Sequence, residues 1–235
     1  MKRTFANKVT SCGGAFILLI LLLTRADGTR LYDFSVTAGT ALPLMGLNDW
    51  YNPTPQLGIQ AVFPRDESHQ IIVEVHTLRF DHGAIEDREF RWLVDYQLYK
   101  SPQAAAQMIW NDFIVKNRTL LPERSVSFGK KRWTPFWSFG AGFYNYVHRV
   151  SGLVYPGQPQ TPLDTEFVMN PVSDRRVAWG GNLGAGAAVP LAGRFLALVT
   201  ADYHVAIGYL RPFEDWGLSE VVPIQFLSIN IGVTF

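Results

Sequence analysis

The chain has little cysteine, little charge and few long apolar runs. Cys12 is the single cysteine, which excludes a disulfide framework and any cysteine-rich metal site. Charged residues make up 17% of the 235 residues and the formal net charge is +1, so a basic surface for nucleic acid is excluded too. After residue 28 no apolar run approaches the ~20 residues that a membrane-spanning helix needs.

The first 28 residues have the layout of a secretory signal peptide. A basic head precedes an apolar run at residues 15–23, and small residues follow at 26–28, where we expect cleavage. An uncleaved anchor is the alternative. Cys12 precedes the apolar run, whereas the acylated cysteine of a lipoprotein follows it, so we assign Cys12 to the leader. Residues 29–235 are therefore predicted to be an exported domain.

Aromatic residues, glycine and regular alternation are abundant instead. Aromatics make up 14% of the chain and there are 20 glycines, a composition that suits an all-β protein. Eight stretches alternate apolar with polar or small side chains, as two-faced strands do. They cover residues 31–42, 55–63, 70–78, 89–99, 133–144, 177–189, 195–208 and 226–235. Short turns and longer loops connect them, which is typical of outer-membrane barrels.

The polar face of these strands indicates which solvent the apolar face meets. In a soluble sandwich or a secreted lipocalin-like protein, which is the alternative, the polar face lies in water. Here that face carries few charges and is rich in glycine, for example Gly140, Gly142 and Gly184, which suits the inside of a narrow barrel. We therefore predict an all-β, closed antiparallel transmembrane β-barrel of about eight strands, with its apolar face in lipid.

Aromatic residues near the predicted strand ends indicate the membrane interfaces. Barrels of this kind carry girdles of aromatic side chains at both interfaces. The predicted interface aromatics are Trp50, Trp133, Trp137, Trp179 and Trp216.

The connection at about residues 100–131, between the fourth and fifth predicted strands, is longer than the turn expected there. Its Ser-Pro start and alanine-rich body predict a short amphipathic helix, which would plug the barrel or pack on its rim. This segment leaves a different strand count open.

Motifs in the second half resemble those of a known family. Residues 134–144 read TPFWSFGAGFY, residues 179–191 read WGGNLGAGAAVPL, and the chain ends IGVTF. With the intervening ALVTADYHV they resemble the eight-stranded OmpA/OmpX-like outer-membrane barrels. The resemblance implies a bacterial outer-membrane location among lipid and lipopolysaccharide, and a terminal aromatic, Phe235, that the barrel-assembly machinery reads. The family is functionally mixed, so the resemblance indicates fold and location better than activity.

Polar residues on the predicted inner face favour a lumen network of hydrogen bonds and salt bridges, because inward charges must be compensated. Arg91 would anchor it against several carboxylates. The predicted members are Asp33, Glu74, His76, Arg91, Asp95, Asn182, Asp202, His204 and Asn230. The alternatives are a catalytic or metal-binding pair at Asp202 and His204, or a metal site that joins His76 to His204 across the lumen. We predict no catalytic residue, metal or cofactor.

A structural or surface-interaction role is the predicted function. Some barrels that resemble this chain deacylate lipid A with a His and a Ser two residues apart near the seventh strand, but Ala206 follows His204 here. A narrow pore or a small-ligand-binding barrel is the other alternative, although side chains just fill an eight-stranded barrel. The proline-rich loop at residues 148–176 is the predicted contact for an extracellular partner.

Overall fold

Eight long strands form the wall of a closed barrel. The computed structural model describes residues 32–81, 83–128, 131–191, 195–209 and 221–235; the predicted signal peptide, residues 1–28, lies outside them. The wall strands are β1 (Asp33–Leu44), β2 (Thr54–Pro64), β3 (His69–Phe80), β6 (Ala105–Leu120), β8 (Lys131–Ser151), β9 (Val172–Pro190), β10 (Leu196–Tyr209) and β11 (Val221–Thr234). Three short strands are β4 (Glu89–Arg91), β5 (Leu98–Lys100) and β7 (Val126–Phe128). Each wall strand pairs antiparallel with the next, which confirms the predicted closed antiparallel barrel.

The first and last wall strands close the barrel. The pairing of β1 with β11 runs from Ser35 opposite Thr234 to Leu44 opposite Gln225. Beyond it, the Phe235 N–H donates to the carbonyl of Phe34 at 2.8 Å, and the Phe34 N–H donates back at 3.1 Å. Closure satisfies backbone groups that find no water in hydrocarbon.

The fourth wall strand is β6, in the segment for which a helix was predicted. That prediction is wrong, because β6 is a 16-residue strand paired with β3 and β8. Burial alternates along it, with Trp110, Asp112 and Ile114 inside and Phe113 outside. Ladder hydrogen bonds on both edges outweigh the helix propensity of the alanine-rich start. The helical elements in the described part of the chain are three-residue 3₁₀ turns.

The segment predicted as the fourth strand, residues 89–99, lies outside the wall. It forms a hairpin in which β4 pairs with β5 around a turn at residues 92–97. The alternating segment is therefore not a single strand: it spans two three-residue strands and the turn between them, within the β3–β6 connection.

The two ends of the barrel differ in the length of their connections. The end that holds the start of β1 and the end of β11 also holds the short turn at residues 65–68. The opposite end holds longer connections at residues 45–53, 81–104 and 152–171. Because outer-membrane barrels have short periplasmic turns and longer extracellular loops, the predicted outer-membrane location would place the opposite end at the cell exterior. Within the described residues, no helix has the length and apolarity to span a membrane.

Candidate functional site

Lys116 is the centre of a buried charge network in the half of the lumen near the start of β1 and the end of β11. Its ammonium lies 2.8 Å from Oε1 of Glu74 and 2.8 Å from Oδ1 of Asp202, and all three side chains are buried. The contact with Asp202 crosses the lumen, because β8 and β9 separate β6 from β10 in the wall. A cation between two carboxylates compensates charges that could not be buried singly.

Amides and a guanidinium extend this lumen network. The side-chain amides of Gln60 and Asn182 donate to the carboxylate of Glu74 at 3.1 and 3.3 Å. Arg118 donates to Oε1 of Gln60 at 3.3 Å, and its guanidinium carbon lies 4.5 Å from the centre of the Phe136 ring. Hydrogen bonds thus link the charges into one network.

The two lumen histidines have different partners. Nδ1 of His76 lies 3.0 Å from Oδ1 of Asp112, which also accepts the backbone N–H of His76 at 3.1 Å. His204 stacks on Phe226, with ring centres 4.5 Å apart and planes 7° apart, and its Nδ1 lies 3.4 Å from the Tyr144 hydroxyl. Among the described residues, no group of three His, Cys, Asp or Glu side chains is placed to hold a metal ion.

Aromatic side chains fill the lumen above the charges. Trp110 stacks on Tyr146 at a centroid distance of 5.5 Å and meets Phe226 edge-on at 5.5 Å. Trp50 and Tyr51, from the β1–β2 connection, are buried at the barrel mouth in the same cluster. Side chains therefore occupy the lumen from the charge network to the mouth, as expected for eight strands.

The structure places the predicted lumen residues in three groups. Those buried on the inner face are Glu74, His76, Asn182, Asp202, His204 and Asn230. Asp33 is half-buried at the start of β1. Arg91 and Asp95 lie in the β4–β5 hairpin, so their placement in the lumen was wrong.

Sequence reasoning missed Asp112, Lys116 and Arg118, which supply three of the charges in the lumen. All three face inward on β6, and the helix prediction concealed their common face. Their spacing of two and four residues was the signal that could have revealed them.

The predicted interface tryptophans also lie in different environments. Trp137 and Trp179 point outward from β8 and β9, and the side chain of Trp179 is 66% exposed. Trp133 is half-buried near the start of β8. The prediction of Trp50 as an interface aromatic was wrong, because this residue is only 2% exposed and faces the barrel interior. Trp216 lies outside the described residues.

Apolar side chains cover the outer face of the wall. This belt includes Val36, Leu57, Ile59, Phe113, Val115, Phe139, Leu183, Val199, Ile229 and Ile231, all exposed. Ile231, for example, is 65% exposed. A continuous apolar belt around a closed barrel matches a hydrocarbon environment and not water. The chain is a closed eight-stranded β-barrel with an apolar outer face. The closed antiparallel barrel predicted from sequence is confirmed, whereas the OmpA/OmpX-like type and the outer-membrane location stay predictions.

Neither a family model nor a curated protein matches this barrel. Among solved structures it is similar to Ail, the attachment invasion locus protein of Yersinia pestis, with 11% identity over 88% of this chain and 100% of that chain and a TM-score of 0.43. Ail in complex with the heparin analogue sucrose octasulfate has 11% identity, the same coverages and a TM-score of 0.37. Ail in a phospholipid bilayer nanodisc has 12% identity over 87% and 99%, with a TM-score of 0.33. The fold assignment depends on the strand pairing described above.

Two connections at the barrel end with the longer loops pack into one body, which we call the loop unit: the β4–β5 hairpin and residues 152–171. Trp92, Val154 and Leu163 are buried together, with Phe90 and Tyr99 packed against them. The rings of Trp92 and Tyr99 meet edge-on at a centroid distance of 6.3 Å. The loop unit therefore has a small core of its own, and Phe90 packs against both this core and the main cluster inside the barrel.

Hydrogen bonds join the two connections of the loop unit. The Leu163 N–H donates to the Tyr99 hydroxyl at 3.1 Å, and that hydroxyl donates to Oδ2 of Asp95 at 2.5 Å. The bond to Asp95 raises the pKa of Tyr99 above its ordinary value of 10.0. The Val154 N–H donates to the Ser101 hydroxyl at 3.0 Å. These contacts fix the hairpin on its neighbour.

The hairpin turn presents apolar side chains to solvent. Leu93 is 76% and Tyr96 70% exposed, and Val94 is exposed beside them. Tyr96 has a φ of 59°, in the left-handed region that a bulky residue seldom adopts. Its N–H donates to the carbonyl of Trp92 at 2.9 Å, and the Gln97 N–H donates to Oδ1 of Asp95 at 2.9 Å. The turn is thus held in one conformation with its apolar side chains outward.

Proposed function

We propose that this protein is a non-catalytic surface-interaction barrel, in which the wall is the membrane anchor and the loop unit makes the contact. The observation that carries the proposal is the exposed apolar turn at Leu93, Val94 and Tyr96 on an ordered loop unit. Exposed apolar patches mark interaction sites, and loops held by a rigid scaffold carry function in many folds.

A preformed turn favours binding for a physical reason. Ordering a loop when a partner binds costs conformational entropy, and a turn already held by hydrogen bonds avoids much of that cost. The left-handed Tyr96 costs roughly 1–3 kcal/mol of backbone strain, which persists only where the surroundings fix it. Hydrogen bonds within the hairpin hold Tyr96. Residues 152–171 in turn hold the hairpin through Trp92 and Tyr99, so both connections belong to the proposed contact.

The filled lumen supports the proposal that the barrel is non-catalytic, and it also favours a barrel that does not conduct ions. The charge network and the aromatic residues above it leave the interior occupied by side chains. His204 is buried in the lumen rather than exposed to lipid, and Ala206 stands where the deacylase pattern has a serine. We expect no channel events in planar bilayers. We also expect identical lipid A mass spectra for cells that express the native barrel, His204→Ala, or neither.

The contact is tested on whole cells that display the barrel. A Leu93→Ser/Val94→Ser/Tyr96→Ser variant removes the apolar turn, and Met45→Ser removes an exposed apolar side chain at the same end but outside the loop unit. We expect adhesion to cultured epithelial cells and immobilised extracellular proteins to fall to the background level with the triple variant and to persist with Met45→Ser. Undiminished adhesion by a triple variant that still shows the heat-modifiable gel shift of a folded barrel would refute the proposal.

A further inference from the structure

Residues 152–171 present an exposed pair of aromatic side chains, Tyr155 and Phe167, outside the core of the loop unit. The Tyr155 N–H donates to the carbonyl of Phe167 at 2.9 Å, beside an antiparallel bridge between Val154 and Val168, so the pair lies on facing backbone segments. The ring centroids are 5.6 Å apart and the ring planes are 80° apart. Tyr155 is 42% and Phe167 53% exposed. The two rings therefore form an open aromatic corner, with faces nearly at right angles.

The side chain of Gln158 holds the backbone of the aromatic corner in place. It is only 4% exposed, and its amide nitrogen donates to the carbonyls of Tyr155 at 3.0 Å and Asp164 at 2.8 Å. Its amide oxygen accepts the Asp164 N–H at 2.9 Å. The Tyr155 ring lies against Gly157, where a Cβ would be 2.7 Å from Cζ of the ring. The corner is thus formed before a ligand binds, which lowers the entropy cost of binding.

The charge of the segment that carries the aromatic corner is negative. Residues 152–171 contain Asp164 and Glu166 and neither lysine nor arginine. Both carboxylates are exposed, and within the described part of the chain neither forms a salt bridge. The faces of aromatic rings are also electrostatically negative. Two ring faces in one segment with two unmatched carboxylates favour a cation as the ligand.

The geometry of the aromatic corner favours one class of cation. The ammonium of a lysine is compact and strongly hydrated, so removal of its water at an exposed site is costly. A guanidinium is flat and stacks on one ring, whereas two ring faces at 80° surround a rounded group. A quaternary ammonium group is rounded, and aromatic faces recognise it in other proteins.

We propose that the aromatic corner, with Asp164 and Glu166, binds a quaternary ammonium group such as that of choline or of a phosphocholine headgroup. The rings of Tyr155 and Phe167 contact the methyl groups, and the carboxylates compensate the positive charge. The site goes beyond the proposed adhesive contact, because it does not include the apolar turn of the hairpin. Each proposal can therefore fail alone.

The test is an NMR titration of the isotope-labelled barrel in a glucoside detergent, which contains no choline. The ligands are choline and its neutral isostere, in which carbon replaces the nitrogen. The variant Tyr155→Leu/Phe167→Leu removes the rings and keeps apolar side chains. The matched control, Phe63→Leu/Phe195→Leu, removes two exposed rings at the opposite end of the barrel. Heat-modifiability on gels verifies that the wall is folded, and the amide signal of Leu163, which donates to Tyr99, verifies that the loop unit is intact.

We expect the native barrel and the control to bind choline about tenfold tighter than the isostere, which corresponds to about 1.4 kcal/mol. The signals that move on titration with choline should belong to residues 152–171. The Tyr155→Leu/Phe167→Leu variant should lose most of the preference for choline. Equal affinity of the native barrel for both ligands, or an unchanged preference in this variant, would overturn the proposal.

A second variant and a vesicle assay examine the charge and the source of the ligand. Asp164→Asn/Glu166→Gln should weaken choline binding severalfold at low salt and leave binding of the isostere unchanged. Flotation of the barrel, in choline-free nanodiscs, with vesicles of phosphatidylcholine but not with vesicles that contain phosphatidylethanolamine in its place would support a lipid headgroup as the ligand. Choline binding without flotation would support a soluble ligand at the same site. Tighter binding of arginine amide than of choline, or undiminished choline binding without the carboxylates, would overturn the proposal.

Discussion

Replacing Lys116 by methionine would show how far the lumen network stabilises the barrel. The substitution keeps most of the side-chain stem and removes the ammonium from its two contacts of 2.8 Å. Glu74 and Asp202 then remain buried without the cation between them. Breaking a buried ion pair on one side costs about 3–5 kcal/mol. Since one ammonium serves both carboxylates, we expect a loss of about 4–5 kcal/mol in the free energy of unfolding.

Urea unfolding of the barrel in lipid vesicles measures this loss, which would lower the midpoint by about 2 M for a slope of about 2 kcal/mol per M. Lys100→Met is the surface control, because Lys100 and Asp87 are exposed at 3.3 Å and such pairs contribute about 0–1 kcal/mol. A triple Glu74→Gln/Lys116→Met/Asp202→Asn variant should recover much of the loss, since no buried charge is left unpaired. A Lys116→Met loss below about 1 kcal/mol, or a triple variant as unstable as the single one, would refute the reasoning.

The end of β11, the turn at residues 65–68 and a lumen glycine give further predictions. Deleting Phe235 removes backbone hydrogen bonds that close the wall, and it should lower the amount of heat-modifiable protein in the outer-membrane fraction. The Phe235→Ala variant isolates the contribution of the aromatic ring. Normal assembly of the deletion variant would argue against this prediction. The backbone N–H of Ser68, first among its partners, lowers the pKa of Asp66 below 3.8. The hydrogen bonds to ionised Asp66 therefore stabilise the fold at pH values above its ordinary pKa, and this contribution is lost as the pH falls through its lowered pKa. An NMR titration midpoint for Asp66 at or above 3.8 would be inconsistent with this prediction. In Gly184→Ala the new Cβ would collide with the Asp202 carboxylate, so urea stability should fall; unchanged stability would show that the network can shift.

The second half of the barrel was predictable because its two faces differ in kind. Along β9 the inner face carries Gly184 and Asn182, whereas the outer face carries Leu183 and Trp179. A two-residue period with unlike faces identifies both the strand and the side that meets lipid. The position of the strand and its lipid-facing side therefore followed from the local pattern alone.

The pattern failed at β6 because its faces are alike in polarity. Trp110 and Ile114 share the inner face with Lys116, while Asn111 shares the outer face with Phe113. The charges of one wall strand are compensated by another strand across the lumen, and this pairing is not visible in local sequence. The lumen network was consequently predicted with the wrong cation, Arg91 in place of Lys116.

The hairpin and Trp50 show a second limit. Residues 89–99 alternate like a wall strand, but of the alternating apolar side chains only Phe90 and Trp92 pack in the loop unit, whereas Val94, Tyr96 and Leu98 are exposed. A tryptophan near a strand end likewise has the same sequence signal whether it faces lipid or, as Trp50 does, the barrel mouth. Both errors concern which neighbour a residue packs against, which depends on tertiary structure.

A spin-label scan of residues 107–117 in lipid vesicles tests the membrane barrel most directly, because it examines the wall strand that the sequence did not reveal. We expect collision with dissolved oxygen to alternate with a period of two, high at the outward Phe113 and Val115 and low at the inward Asp112 and Ile114. A water-soluble relaxation agent should reach none of these four positions. A period near 3.6 residues, or access of the water-soluble agent to Phe113 and Val115, would contradict a lipid-embedded eight-stranded barrel.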